Sequence, residues 1–444
     1  MNWFEILELI GKSRQVLIKK LSRNDCSWAD DSGKHQNGIY IPEGIRQSGF
    51  LPPLININPD KPHILEAQFK TLWPSTGELK LSNLKHYSNK GSELHFTRVP
   101  KEEFADLTPA SLLLGGIFKN SINDAAHWFL VLDSACEEAE LLESLFDLDS
   151  EFHCSLFDPA TAFKEPLNET DALIGEMISA LKADTLDKFI AVAAKLPTPA
   201  HMASAAQSEY LRAHELTNLD PYAIPNPGDA IMKISRDIEY SIYKRVERRH
   251  RAAEVLRILS VENGLKGGES LVNAVVRGYP ALDATFLSAS QHRKSRAGRS
   301  FEHHIFRLLT DGKIPFDEQA VTGGRRPDFV LPSLKWLNAV DRDFNGAVIL
   351  SAKTTLRERW KQVTLEKFNC GLFLATVDDR ISASAIDDMG THGVTLVVPE
   401  SLKKSKDTCY DLKNNVITFA DFFVNELATK REKFASAGKD KFKS

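Results

Sequence analysis

The sequence predicts a two-part α/β protein, with a strand-rich N-terminal half and a C-terminal half built on a mixed sheet flanked by helices. Residues 1–165 contain short apolar runs separated by turn-forming stretches such as DDSGKHQNG and SNKGS, a pattern typical of a β-barrel or sandwich. Beyond residue 200, four apolar runs at 328–332, 346–353, 371–376 and 393–399 follow segments with helical periodicity. Strands interleaved with helices in this way favour a mixed α/β sheet.

The domain boundaries follow from length and turn residues. A chain of 444 residues is longer than one hydrophobic core usually serves. Apolar residues recur at four-residue steps from 169 to 195, and the stretch LPTPAH follows, which indicates one or two helices before a boundary. We therefore expect an N-terminal domain at 1–165, a helical linker at 166–198, a second domain at 199–428 and a flexible tail at 429–444. Within the second domain we expect helices over 229–262, 268–280 and 299–311.

Composition excludes several classes of protein. The chain is 42% hydrophobic and 26% charged, which is ordinary for a globular protein. No apolar run approaches the roughly 20 residues that cross a bilayer, and the N-terminus lacks the pattern of a signal peptide. Five scattered cysteines without a CxxC pair indicate neither a zinc site nor a disulfide framework. We expect a cytoplasmic protein with no membrane partner.

The charge distribution leaves room for a nucleic-acid partner. A net charge of −4 counts against a strongly basic protein. Three segments, KRVERRHR at 244–251, HRKSRAGR at 292–299 and GGRR at 323–326, are nevertheless dense in cations. A local basic cleft would explain them, and so would ordinary solvated helix faces.

Three carboxylates and a lysine lie at or beside the ends of two adjacent predicted strands. Asp328 opens one apolar strand, Lys353 closes the next, and Glu302 and Glu366 lie on the helices before and after. Phosphodiester hydrolysis requires carboxylate-held metal ions and a positioned water, which a nearby lysine can orient. Taken singly, a Pro-Asp dipeptide is more often a turn, and a lysine at a strand end is more often an exposed edge residue.

Three blocks of sequence resemble a known enzyme family. These are HRKSRAGRSFEHHI at 292–305, RRPDFVLPS at 325–333 and LSAKTTLRERWKQV at 350–363. In order and spacing they are similar to the catalytic core of the EcoRII-type restriction endonucleases, members of the PD-(D/E)xK nuclease superfamily. The stretch KLSRNDCSWADDSGKHQNGIYIPEG at 20–44 resembles the start of the N-terminal effector-binding domain of that family. The resemblance implies a restriction-endonuclease-like mixed sheet behind an N-terminal β-barrel-like domain that binds DNA.

The resemblance also implies roles for the site residues. Asp328 and Glu366 correspond to ligands of Mg²⁺, Lys353 to the residue that positions the attacking water, and Glu302 to an upstream carboxylate that completes the catalytic site. Ser351 occupies the place of the superfamily's second acid. In this subgroup a carboxylate from the following helix replaces that acid, and Glu366 has the matching position.

Further residues correspond to DNA contacts of the family. Arg357, Glu358 and Arg359 match positions that read bases; arginine pairs with guanine and glutamate with cytosine in the major groove, although a solvated helix start is the simpler alternative. Arg236 and Tyr240 match a pocket for a base flipped out of the duplex, whereas a core tyrosine beside a surface arginine is the alternative. Candidate contacts of the N-terminal domain with effector DNA are Arg23, Lys34, His35, Gln36, Lys90 and Arg98.

The implied function is that of a type II restriction endonuclease. We expect it to cut double-stranded DNA at a CCWGG- or CCNGG-like site, to leave 5′-phosphates, to require Mg²⁺ and to act as a homodimer. A second DNA copy bound to the N-terminal domain would regulate cleavage, and a companion methyltransferase would protect host sites without binding the protein. The alternatives are a non-catalytic DNA-binding regulator on the same scaffold and a repair-type nuclease of the same superfamily.

Overall fold

The computed structural model describes residues 1–30, 38–89, 91, 94–146, 148–149, 151–162, 167–193, 195–261, 265, 267–319, 327–356 and 369–431, without the side chains of 144, 161–162, 167–170 and 286–297. The chain forms two compact units. The first comprises residues 1–165 together with two later segments, 379–385 and 404–413. The second comprises residues 166–378, 386–403 and 414–444.

The first unit is organised around one eight-stranded sheet with the order β2-β5-β4-β3-β7-β6-β1-β8. Its strands are β1 Ser13–Lys20, β2 Ile39–Ile41, β3 Ile64–Trp73, β4 Glu78–Tyr87, β5 Leu94–Thr97, β6 Leu112–Ile122, β7 Ala125–Leu132 and β8 Cys154–Phe157. All neighbours are antiparallel except β3 and β7, which are parallel. Its helices are α1 Trp3–Lys12, α2 Arg23–Ser27, α3 Glu43–Gln47, α4 Glu137–Leu145 and α5 Pro159–Ala162. Among the described residues no ladder joins β2 to β8, so closure of this sheet into a barrel stays a prediction.

A glycine pair allows large aromatic side chains into this sheet. Gly115 and Gly116 on β6 lie opposite Phe129 and Trp128 on β7. A Cβ atom added at Gly116 would overlap the Trp128 indole, and one at Gly115 would overlap the Phe129 ring. Trp128 is fully buried and donates its indole N–H to Ser13 Oγ at 2.8 Å. The aromatic core therefore depends on the absence of side chains at two adjacent positions of β6.

The second unit contains the mixed sheet that the sequence predicts. Six strands lie in the order β14-β13-β12-β11-β10-β9. They are β9 Asp317–Glu318, β10 Phe329–Leu331, β11 Val348–Ala352, β12 Gly371–Ala375, β13 Val394–Val398 and β14 Val416–Thr418. Strands β11 to β14 are parallel, and β9 and β10 join them antiparallel. Every residue of β10, β11 and β12 is buried, which explains why these strands are continuous apolar runs. The mixed α/β fold is confirmed; the short strands β9 and β14 escaped sequence analysis.

The helices of the second unit differ from the expected ones, and α11 is longer. They are α6 Leu167–Lys182, α7 Leu186–Ala193, α8 Pro199–Ala213, α9 Pro227–Met232, α10 Glu239–Val261, α11 Gly268–Asp311, α12 Leu334–Leu337, α13 Ala383–Thr391, α14 Glu400–Lys404 and α15 Phe419–Asp421. The expectation of two separate helices over 268–280 and 299–311 was wrong, because α11 is a single helix of 44 residues that contains Pro280. Among the described residues, no helix combines the length and the apolar character needed to span a membrane.

Candidate active site

Asp328 and Lys353 come together at the adjoining ends of two antiparallel strands. Asp328 immediately precedes β10, Lys353 immediately follows β11, and Phe329 is paired with Leu350. The Lys353 ammonium and the Ala352 N–H each donate to Asp328 Oδ2 at 2.8 Å. The Lys353 N–H in turn donates to the carbonyl of Ala375 at 3.0 Å, which fixes the lysine backbone against β12.

Glu302, near the C-terminal end of α11, is close enough to Asp328 and Lys353 for their charges to affect it. Burial raises the pKa of the Glu302 carboxyl, the negative charge of Asp328 raises it further, and the charge of Lys353 opposes both. Gln319 connects the two acids: its side-chain amide donates to Glu302 Oε2 at 3.4 Å and its backbone N–H to the carbonyl of Asp328 at 2.9 Å. The structure therefore places Glu302, Asp328 and Lys353 at one site.

The carboxylates at this site fit a divalent cation. Burial and the negative charge of Asp328 both raise the pKa of Glu302. A cation between two such acids stabilises their ionised forms. Carboxylate oxygens are also the ligands that Mg²⁺ prefers. The described part of the chain holds no cluster of three or more His, Cys, Asp or Glu residues at metal-binding distance; Glu366, the other ligand expected from the sequence, lies outside the described residues.

Arg236 and Tyr240 flank a change of helix type. Residues Lys233–Ile238 form a π-helical turn between α9 and α10, so the expected single helix over 229–262 changes its helix type near its N-terminal end. Such turns are rare and recur at functional sites. The Arg236 guanidinium donates to the carbonyl of Val377 at 3.4 Å, directly beyond β12, and Tyr240 is partly buried.

A buried chain of polar groups holds this turn against α11. His304, two residues after Glu302, is completely buried; its Nε2 lies 2.7 Å from Glu239 Oε2, and its Nδ1 lies 3.0 Å from the amide of Gln207. Buried polar groups that are mutually satisfied fix one arrangement of the helices that carry them. The helix bearing Glu302 and the turn bearing Arg236 are thereby held in register.

The remaining predicted contacts fall into two groups. Arg357, Glu358, Arg359, Lys34, His35, Gln36 and Lys90 lie outside the described residues. Of the others, Arg98 is exposed with φ 56°, and the Arg23 guanidinium pairs with Asp411. Part of the basic cluster at 244–251 is neutralised within the unit: Arg249 pairs with Glu176 at 2.6 Å and Arg251 with Glu247 at 2.5 Å.

Two residues at the site escaped sequence analysis. Gln319 lies in a turn with φ 46°, and nothing in its sequence context distinguishes it from other turn residues. Asp378 accepts the backbone N–H of Leu356 at 2.8 Å. An available signal for Asp378 was its place in VDD, directly after the buried strand β12, because polar residues beyond the carboxyl ends of parallel strands commonly form sites.

The chain is similar over most of its length to known proteins. Residues 271–423 match the family described as EcoRII C terminal. The chain is 27% identical over 420 residues to the type II restriction enzyme EcoRII from Escherichia coli, an alignment that covers 91% of each protein. It is 33% identical over 158 residues to the type II restriction enzyme SsoII from Shigella sonnei, which covers 33% of this chain and 50% of that protein. A solved structure of metal-depleted Ecl18kI with uncleaved DNA aligns at a TM-score of 0.45 and 23% identity, over 56% of this chain and 85% of that one.

The family match includes Glu302, Asp328 and Lys353, and the alignment with EcoRII extends through most of both units. The resemblance inferred from the three sequence blocks is thereby confirmed. Residues 271–423 match the EcoRII C-terminal family model, and over 91% of its length the chain is similar to a type II restriction enzyme.

Proposed function

We propose that the chain is a type II restriction endonuclease whose catalytic residues are Asp328, Lys353, Glu366 and Glu302. Its enzyme class, site-specific deoxyribonuclease, follows from its relationship to named restriction enzymes. The observation that carries the assignment of residues is the pairing of Lys353 Nζ with Asp328 Oδ2 at 2.8 Å, at the adjoining ends of two strands.

The chemistry follows from these positions. Asp328 and Glu366 would hold the divalent ion, for which we propose Mg²⁺. When bound, such an ion neutralises charge on the phosphate and stabilises the departing oxygen. The Lys353 ammonium, held by Asp328, would donate a hydrogen bond that orients the attacking water, and its positive charge would favour loss of that water's proton to the solvent. Glu302 supplies a second carboxylate beside Asp328. Hydrolysis that breaks the bond between phosphorus and the 3′ oxygen leaves a 5′-phosphate.

The DNA-reading part of the proposal rests on the sequence blocks. Arg357, Glu358 and Arg359 read a CC/GG half-site in the major groove, and Arg236 and Tyr240 receive an extruded central base. The full site is then a pentanucleotide of the CCWGG or CCNGG kind. A twofold target calls for two copies of the active site related by a twofold axis, so the working form is a homodimer on double-stranded DNA, in a host whose companion methyltransferase protects the same sites.

We also propose that the N-terminal domain binds a second DNA copy and regulates cleavage. Support comes from two segments, 379–385 and 404–413, that belong by contacts to the first unit although they lie between strands of the nuclease sheet in the chain. Within the first unit, Lys20 pairs with Asp379 at 2.8 Å, both side chains being almost fully buried. Arg380 donates to both oxygens of Glu143, at 2.6 and 2.7 Å. DNA that binds the N-terminal sheet better when these pairs are broken would release the two segments.

One experiment tests the function as a whole. Purified protein is incubated with plasmid DNA and Mg²⁺, and the ends of the fragments are sequenced. We expect both strands to be cut at one recurrent CC/GG-containing site, with 5′-phosphate ends, and no cutting in EDTA. Intact DNA with retained specific binding would instead identify the non-catalytic regulator, and cutting at lesions or mismatches would identify the repair-type nuclease.

A further inference from the structure

The segment Ala375–Asp378 at the carboxyl end of β12 contacts three separate functional elements. The carbonyl of Ala375 accepts the N–H of Lys353 at 3.0 Å. The carbonyl of Val377 accepts the guanidinium of Arg236 at 3.4 Å. The Asp378 carboxylate accepts the N–H of Leu356 at 2.8 Å. Four consecutive residues thus touch the strand end that carries the lysine, the π-helical turn and the start of the segment that carries Arg357.

The contact made by Asp378 differs from the other two in its chemistry. In the other two contacts the segment accepts through a backbone carbonyl, whereas here it accepts through a buried carboxylate from a backbone donor; Asp378 is 6% exposed and Leu356 is completely buried. A buried carboxylate is costly unless hydrogen bonds satisfy it, and hydrogen bonds to a charged acceptor are about twice as strong as neutral ones. The backbone N–H of Asp378 donates to Thr376 Oγ1 at 3.0 Å, and this hydrogen bond constrains the backbone that carries the carboxylate.

Leu356 is the last residue before the segment assigned to base reading. Leu356 lies three residues after Lys353 in the chain, so its position fixes where the chain leaves the active site. We propose that Asp378 is a positioning residue for DNA recognition, which fixes the Leu356 backbone at the point where the chain enters the segment assigned to base reading. This inference rests on the proposed function of the 357–359 segment.

The first test compares Asp378→Ala with Asp378→Asn in the full chain. Alanine removes the acceptor, whereas asparagine keeps one oxygen that can accept the Leu356 N–H. Misplacement of a reading segment by about 1 Å is enough to cost ~100-fold in rate, so we expect Asp378→Ala to lose ~10- to 100-fold in kcat/KM at the preferred site. Discrimination against sites with one substituted base pair should fall with it, and non-specific DNA binding should be unchanged. Asparagine should restore much of the discrimination.

A matched control separates positioning from general destabilisation. Asp229 is another carboxylate of the same unit that accepts a backbone N–H, that of Ser401, at 2.9 Å, remote in sequence from the reading segment. Asp229→Ala should keep the discrimination of the wild type. Equal loss of discrimination in both alanine variants, or full discrimination in Asp378→Ala, would overturn the proposal.

Hydrogen exchange at the Leu356 amide tests the same inference without relying on cleavage. The amide should be protected in the wild type and in Asp378→Asn, and should exchange at least ~10-fold faster in Asp378→Ala, because local opening then no longer breaks this hydrogen bond. Unchanged protection in Asp378→Ala would contradict the positioning role even if the enzyme is active. If the wild type cuts no DNA but the Leu356 amide still exchanges faster in Asp378→Ala than in the wild type, the proposed function is refuted and the structural inference stands.

Discussion

Asp328 uses one oxygen for two hydrogen bonds. Both described donors, the Lys353 ammonium and the Ala352 N–H, reach Oδ2. Among the described residues nothing donates to Oδ1, which leaves that oxygen for a cation. The two hydrogen bonds orient the Asp328 carboxylate, and the one from Lys353 orients the lysine side chain as well.

Replacing Asp328, Lys353 or Glu366 by alanine should abolish most of the activity. Each variant is expected to lose on the order of 100-fold or more in single-turnover cleavage, because metal binding or water positioning is removed. Specific DNA binding, measured without divalent metal, should largely survive. Asp388→Ala, which removes an exposed acid of the same unit, is the control. Near-full activity in Asp328→Ala would show that the catalytic site lies elsewhere.

Glu302→Gln should stabilise the metal-free protein at neutral pH. The pKa of Glu302 is raised in the folded state by burial and by Asp328, so the folded state binds the proton more tightly than the unfolded chain does. Its ionisation therefore destabilises the fold as pH rises above the unfolded value, and glutamine removes this penalty. The gain in Tm over wild type should shrink as pH falls through the carboxyl range. Equal Tm values at neutral pH would contradict this account.

The sequence was sufficient for some of these residues and not for others. The places of Asp328 and Lys353 at strand ends could be predicted because each adjoins a strand that is buried on both faces, whereas their catalytic roles were inferred from the resemblance and stay a prediction. Gln319 could not be, since its contacts depend on a tertiary approach of α11 to the turn before β10. Pro280 misled the helix prediction: a proline normally ends a helix, but here α11 continues through it.

At the scale of elements, the π-helical turn before α10 is the feature that a periodic pattern could not reveal. The apolar spacing of residues 229–262 is that of one amphipathic helix, yet the backbone widens between Lys233 and Ile238. The turn is supported by neighbours distant in sequence, among them Val377 through Arg236 and His304 through Glu239. Local sequence alone does not contain this information.

The turn should be required for extrusion of a central base. With 2-aminopurine at the centre of the preferred site, we expect fluorescence to rise when wild-type protein binds, because the base leaves the stack. Tyr240→Ala should reduce that rise, and Tyr240→Phe, which keeps the flat ring, should retain it. No rise with wild type bound, or a recognised site with an even number of base pairs, would exclude extrusion.

The reading segment that follows β11 makes a separate prediction. Arg357→Ala should weaken binding to the preferred site by about 1–3 kcal/mol, the value of a bidentate arginine–guanine contact. Non-specific binding, which depends on phosphates, should change much less, and Lys335→Ala provides a cation-removal control in the same unit. Equal weakening on specific and random DNA would assign Arg357 to the backbone.

At the scale of the whole molecule, the bidentate pair of Arg380 with Glu143 tests regulation in the full-length chain. Glu143→Ala removes the bidentate carboxylate acceptor of Arg380, which is destabilising for a largely buried pair. Release of segment 379–385 should then raise cleavage of DNA with a single site and reduce stimulation by a second copy. Glu137→Ala, an exposed acid on the same helix α4, should leave both unchanged. Unaltered stimulation in Glu143→Ala would argue against these segments as the regulated element.

The late segments of the first unit have a consequence for the order of events during synthesis. Translation adds roughly 5–20 residues per second, so residues 404–413 emerge on the order of tens of seconds after residue 165. Lys20 and Glu143 await their partners Asp379 and Arg380, and Arg23 awaits Asp411, all more than 200 residues later in the chain. The N-terminal unit and the nuclease sheet must therefore be completed almost together, and a nascent chain interrupted before residue 404 would finish neither.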